Sequence, residues 1–593
     1  ASNLGSLTTL NLDNATASAV VSGVPTTTTT IKQSATSNTP SINIQYATGA
    51  AATSSWTNGE LDATAIANGA TTFGNVATLT VSSDNGVSND STVALGSLNG
   101  SAALTSLTLN SSSDTGDTLN TGSITGVNLE TLTINIDEAD FTTGAAALGS
   151  ANELKTLTIT NLDKDSSGDI TVGTIGNVSA ADELTSINIT TLGDADTSEA
   201  GAGSVVQVGA ITATRAATGS AITDYTINLA GQYGASQIGP VTGSADIGSI
   251  NITTDTVGTS LSMGGFTPTF GSITGDVTIT AGTDFSGGSS ATGWIQTEAS
   301  GSVGNISLSS GGTMTISSTT GHELVGAATT VGNLSFNTLA AADSITVGEV
   351  EQATTIGDIT VTGLGSTTFY GAPAATTIGN ISVAVPASET VSLNGDTGSI
   401  GTTGGVMGST TVTGGGAFNM TIGAVTALGN VDLSGLTGTS SSSNITLHDS
   451  TPVGVIFTGS DGADDFTGTG GADVITPGLG ADTVTTGSGG DTITLTETVA
   501  SVDEIKLSPV GVTLDSEAGL DTITGFIPAH GDKISFDLSD WATAGAAFED
   551  HTNVTPSNLD AGVLLEFAAK NTTLAAGAVD GTILFVQAAD TNA

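Results

Sequence analysis

Four aspartates, Asp464, Asp473, Asp482 and Asp491, recur every nine residues. Gly462, Gly471, Gly480 and Gly489 stand two residues before them, and Phe466, Ile475, Val484 and Ile493 two residues after. Glycine permits the tight backbone that turns carbonyl oxygens toward a cation, the carboxylate supplies charge, and the apolar residue packs a short strand. Carboxylates repeated on neighbouring strands, about 4.8 Å apart, repel one another unless a counterion lies between them. A hard divalent cation is the natural remedy. Calcium, which takes about six to eight oxygens and tolerates irregular turns, suits the pattern better than magnesium.

A second group of oxygen side chains lies far upstream. Asp163, Asp165, Ser167 and Asp169 occupy positions 1, 3, 5 and 7 around Gly168. The stretch resembles the first half of an EF-hand loop, but position 12 is Thr174 where that family has a bidentate Glu, and its flanks read as strands. A partial calcium loop and a plain solvated turn both remain open, because Asp, Ser and Gly are also common turn residues. Other carboxylates follow the repeated strands: Asp84, Asp114, Asp137, Asp140, Asp194 and Asp196. If the turns stack, they are expected to form one acidic edge.

The elements that must carry these groups are legible as repeats. Leu104, Leu107 and Leu109 begin a six-residue pattern with apolar residues at positions 1, 4 and 6, repeated from Leu129, Leu154 and Leu184. Further on it becomes Ile/Val-Gly-Asn/Asp/Ser followed by alternating apolar residues, from Ile247, Val303, Val331, Ile356 and Ile378. In a strand every second side chain faces inward, so Leu107 and Leu109 point to the interior and Thr108 outward. The copies from Leu104 start 25, 25 and 30 residues apart, the length that one coil of a β-solenoid needs. A chain of tandem antiparallel β-sandwich domains is the alternative, since its strands also alternate and its turns are also Gly-rich.

Composition narrows the class. The 593 residues hold 7 Lys+Arg against 56 Asp+Glu, for a net charge of −49, which would repel a phosphate backbone and argues against nucleic-acid binding. With 81 Gly, 4% aromatic and 11% charged residues, the chain lacks the Leu/Glu/Lys-rich stretches of helical bundles, and Thr, Val and Ile favour strands. The fold expected is all-β. Absence of Cys excludes disulfides and Cys-ligated metals. No apolar run is long enough for a transmembrane helix. The first residues carry neither a basic n-region nor an initiator Met, so the true start is expected to have been removed or to lie upstream.

The nonapeptide block resembles the G-G-x-G-x-D-x-U-x repeats of RTX proteins, whose parallel β-roll binds calcium between successive turns. The resemblance implies that Asp464 pairs with Asp482 on one side of the roll and Asp473 with Asp491 on the other. It has defects, since Ser460 and Thr469 replace one family Gly, and Pro477 and Thr486 another. The segment from Gly519 through Asp521, Gly525, Gly531 and Asp532 to Asp537 looks like the one that follows the roll in proteins exported by type I secretion. The upstream body resembles, less specifically, the Thr/Ala/Gly-rich bodies of RTX-bearing bacterial surface-layer proteins. The expected organisation is a β-solenoid body over 1–457, an RTX roll over 458–496, and a C-terminal cap and secretion region over 497–593.

An enzyme is not expected. His322-Glu-Leu-Val-Gly326 begins like a zinc-protease motif but has Gly where the second His is required, and no G-x-S-x-G elbow occurs. Carboxylate catalysis on polysaccharides, as on some β-helices, is the residual class. Seven Lys+Arg and three Trp, at 56, 294 and 541, leave little to build a sugar site. Trp56 and Trp294 are expected to pack in the core or at a coil edge, and Lys155, Lys164 and Arg215 to pair with neighbouring carboxylates. The function expected is that of an extracellular, calcium-dependent structural protein at the cell surface, assembling with itself as a surface layer or filament and exported by type I secretion machinery. A surface adhesin binding a cell-surface glycan is the alternative.

Overall fold

The computed structural model describes residues 7–536 and 563–564, apart from 12–18, 29, 34–41, 48–51, 59–64, 68–70, 85–91, 95–97, 101, 123, 126–127, 144–153, 162–169, 174–185, 192–205, 214–221, 231–234, 244–245, 257–259, 289–292, 298, 317–322, 394–398, 403, 439–440, 449–450, 498–500, 508–520 and 528–529. The named elements are all β-strands, stacked in parallel as a β-solenoid. Two compact units divide the chain, Ala1–Ser317 with His322–Ala328, and Ser318–Gly321 with Thr329–Ala593.

In the first unit the apolar repeat becomes vertical columns. Leu79, Leu107, Leu132, Leu157, Ile187, Ile227, Ile252, Ile279 and Leu308 follow one another in register through consecutive parallel strands. Two residues along, Val81, Leu109, Ile134, Ile159, Ile189 and Leu229 form the next column. Where their side chains are described they are buried. A single coil exposes this row on both edges. Each added coil removes apolar surface from water, about 1.5–3 kcal/mol for a fully buried aliphatic side chain, so stability comes from neighbours. Thr108, Thr133 and Thr158 stand between the two columns on the outer face.

Parallel register excludes the tandem β-sandwich alternative, whose sheets would be antiparallel. Among the described pairings only Thr522–Thr524 with Val563–Leu564 is antiparallel. Trp294 is fully buried, with edge-to-face contacts to Phe266 and Phe285. The Trp56 side chain, like Lys164, Arg215 and Trp541, lies outside the described residues. Lys155 pairs with Glu130 of the preceding coil at 3.1 Å.

The acidic edge takes a different form where it is described. Asp114 lies within the strand Ser106–Thr121, and Asp137 and Asp140 within Thr131–Thr143, rather than in turns. In backbone register Asp84 stands opposite Ser112, and Ser112 opposite Asp137. Asp194 and Asp196 lie outside the described residues.

In the second unit the Gly-Asn/Asp/Ser motif has a structural reason. The amide of Asp358 donates to Asn333 Oδ1 at 2.8 Å, that of Asn380 to Asp358 Oδ1 at 2.7 Å, and that of Ser409 to Asn380 Oδ1 at 3.0 Å. Each side chain thus satisfies a backbone donor in the next coil. The preceding glycine must lack a side chain because that oxygen passes over it: a Cβ on Gly357 would meet Asn333 Oδ1, and one on Gly379 would meet Asp358 Oδ1.

The coils of this unit then change size. From Thr330 to Leu436 the stack includes a short ladder through Thr330–Val331, Thr355–Ile356, Thr377–Ile378, Val406–Met407 and Ala427–Leu428, besides two longer ones. The two longer ladders continue without a break into the nonapeptide block, as Val431–Leu436 pairs with Ile456–Thr458 and Ser442–Thr446 with Ala463–Thr467. Phe457 and Phe466 stack at the transition, ring centroids 4.0 Å apart.

Candidate metal centre

Each nonapeptide supplies one short strand, Ala463–Thr467, Val474–Thr476, Thr483–Thr485 and Thr492–Thr494. The first pairs with the third and the second with the fourth, so alternate nonapeptides build opposite sides of the stack. Phe466, Ile475, Val484 and Ile493 are buried between them, which leaves almost no room for other side chains in the interior. Asp473, Asp482 and Asp491 immediately precede their strands, and Asp464 is the second residue of its own.

The register stacks carboxylate on carboxylate. The amide of Asp464 donates to Asp482 Oδ1 at 2.9 Å, and that of Asp473 to Asp491 Oδ1 at 2.8 Å, each across 18 residues. Two columns extend beyond the repeat. The Asp482 amide donates to Asp503 Oδ1 at 3.0 Å, and the Asp503 amide to Asp532 Oδ1 at 3.3 Å. On the other rim, the Asp491 amide donates to Asp521 Oδ1 at 2.9 Å. Asp464, Asp473, Asp482, Asp491 and Asp503 are all buried.

The four repeat aspartates are not equivalent. Asp464 accepts from the Ser460 amide at 2.6 Å and from its hydroxyl at 2.9 Å. Asp473 accepts from the Thr469 amide and hydroxyl, both at 2.7 Å. These two hydroxyl residues stand where the RTX pattern has glycine, and they solvate the buried carboxylates. In the next two copies Gly478 and Gly487 take their place, with φ of +107° and +87°. Asp482 Oδ2 and Asp491 Oδ2 are buried without a hydrogen-bond partner. Gly480 and Gly489 also have positive φ and pack so closely on Gly462 and Gly471 of the coil before that a Cβ would strike the carbonyl oxygen below.

Burial pushes the Asp482 and Asp491 carboxyls up to about 8, with nearby carboxylates adding to the effect, and pushes Asp503 and Asp521 up to about 6. Asp464 and Asp473 are also raised by burial, while hydrogen bonds from Ser460 and Thr469 oppose the rise. A buried carboxylate lacking a donor is costly unless it binds a proton or a cation. Asp482, Glu497 and Asp503 have ligand oxygens within 4.8 Å of one another and could hold a metal.

Asp163, Asp165, Ser167 and Asp169 lie outside the described residues. Asp503 and Glu497 were not among the residues singled out by sequence, and Asp521 and Asp532 were legible only as part of a following segment. The signal is the repeated Asp-x-Ile of Asp503, Asp521 and Asp532, which matches Asp491-Thr-Ile493. Its phase is hidden because the coil lengthens from 18 residues to 21, 29 and 30. His448 is exposed. No helix among the described residues is long and apolar enough to cross a membrane. Comparison of the chain with protein-family models, with curated proteins and with solved structures finds no match.

Proposed function

We propose that this chain is an extracellular, calcium-dependent structural protein, an RTX-type subunit of a surface layer or filament exported by type I secretion. The observation that carries the reading is the pair of buried, unpartnered carboxylate oxygens on Asp482 and Asp491 within two continuous aspartate columns. Such columns are stable when a divalent cation neutralises them. Calcium outside a cell fills weak sites that stay empty inside, which would couple folding to export. The outward ranks of Thr on the first unit, such as Thr108, Thr133 and Thr158, offer low-charge surfaces for contact between copies.

Electron microscopy of the purified chain with millimolar calcium, and again after chelation, tests the reading. Ordered sheets or filaments that disperse on chelation are expected. Dispersed monomers in calcium that adhere to cells or glycans would replace assembly by adhesion, and turnover of a polysaccharide would replace both by catalysis.

A further inference from the structure

We infer that Asp482, Glu497 and Asp503 form a divalent-cation site in which one ligand, Glu497, comes from outside the nonapeptide repeat. The inference rests on the calcium reading above and says where one ion sits and which residue decides it.

The geometry leaves specific oxygens for the ion. Asp482 Oδ1 accepts the Asp464 amide at 2.9 Å, and Asp482 Oδ2 is buried with no partner. Asp482 itself is only 1% exposed. Glu497 Oε2 accepts the Ser501 amide at 3.3 Å, and Glu497 Oε1 is also buried with no partner. Asp503 Oδ1 accepts the Asp482 amide, which holds its carboxylate beside that of Asp482. Each of the three carboxylates brings one oxygen within 4.8 Å of the others, and two of the three, Asp482 and Glu497, carry a buried oxygen with no partner. Three carboxylates held so close stay ionised only with a cation between them, whose shell would be completed by water or carbonyl oxygens.

The contrast with the preceding coil sharpens the assignment. There the equivalent aspartate, Asp464, has the Ser460 hydroxyl and amide as donors. At Asp482 the corresponding residue is Gly478, which brings no hydroxyl, and the chain instead returns Glu497, another acceptor, toward the same rim. Adding an acceptor where a donor has been lost is unfavourable for the protein alone and favourable around a cation.

Calcium binding to the full chain, stripped with chelator beforehand, would be measured by equilibrium dialysis for the wild type, Glu497→Gln and Asp465→Asn, the last an exposed neighbour of the column. Hydrogen exchange with and without calcium would follow the amides of 501–507. The expected result is that Glu497→Gln binds one calcium fewer per chain, or binds one at least tenfold more weakly, and loses calcium-dependent protection at 501–507, whereas Asp465→Asn matches the wild type. Unchanged binding and protection in Glu497→Gln, with calcium still bound, would overturn this site and leave the calcium reading intact. No calcium bound by the wild type would overturn both. Should Glu497→Gln fail to fold, the wild type alone decides: no gain in protection at 501–507 on adding calcium overturns the site.

Discussion

The amide of Asp464 donates to the carboxylate of Asp482 across 2.9 Å and one coil of 18 residues. In the second unit's upstream coils the Asn/Asp ladder runs the other way, since there the later residue's amide donates to the earlier side chain, as from Asn380 to Asp358. The two devices serve one need, a partner for a backbone donor at a turn where strand pairing stops. The reversal leaves each aspartate of the roll with its second oxygen free for the turn of its own coil. The Ser460 and Thr469 amides fill that place in the first two copies, and the last two leave it open.

Replacing Asp482 by Asn should raise the melting temperature of the chelated protein and shrink the gain produced by calcium. The substitution removes a buried charge and supplies a donor amid carboxylates, and it removes a cation ligand. Calcium at ten to a hundred times Kd stabilises by about 1.4 to 2.7 kcal/mol per site, and that increment is the part expected to be lost. Thermal unfolding with and without calcium measures both effects. A variant less stable than wild type in chelator would count against the orphaned oxygen as a liability.

The chelated protein should become more stable as pH falls. An unfolded aspartate titrates near about 3.9, whereas burial holds Asp482 and Asp491 at about 8 and Asp503 and Asp521 at about 6. The folded carboxyls keep protons that the unfolded chain releases. The stability from these groups is therefore full below about pH 4 and lost progressively as pH rises to about 8. With calcium the trend should reverse, because the ligands must be deprotonated. Unfolding midpoints between pH 4 and 9 check this, and a midpoint in chelator that climbs between pH 5 and 8 would refute it.

Ser460→Ala should destabilise the second unit whether or not calcium is present. It removes the hydroxyl that donates to Asp464 at 2.9 Å and accepts from the Gly462 amide at 3.1 Å. Hydrogen bonds to a charged group contribute about 1.5–3 kcal/mol, which sets the expected loss. Urea unfolding in calcium and in chelator should show similar decrements. A decrement seen only in chelator would instead place a cation at Asp464.

Gly379→Ala should cost about 1 to 3 kcal/mol, as overpacking does in a filled interior. The added Cβ would meet Asp358 Oδ1, the acceptor for the Asn380 amide at 2.7 Å. Hydrogen exchange should show faster opening around 378–383 in the variant. Wild-type exchange at those amides would mean that the ladder yields without loss.

Much of this architecture is written in local pattern. Strand side chains alternate with a period of two, so the Leu107, Leu132 and Leu157 rows identify an inward face, and copies of near-equal length make stacking in register the arrangement that buries it. The resemblance to RTX repeats implied opposite sides for alternate aspartates, and Asp464 does lie by Asp482 and Asp473 by Asp491. Tertiary structure alone decided the rest. Parallel pairing, rather than sandwiches, depends on which strands meet, and alternation is the same in both. Asp503, Asp521 and Asp532 join the columns because coils of 21, 30 and 29 residues still return to the same height, a closure that spacing along the chain conceals. Whether a carboxylate's second oxygen is satisfied depends on a backbone amide four residues away and on the turn that brings it near. For that reason Asp464 and Asp482, alike in the repeat, differ in the fold.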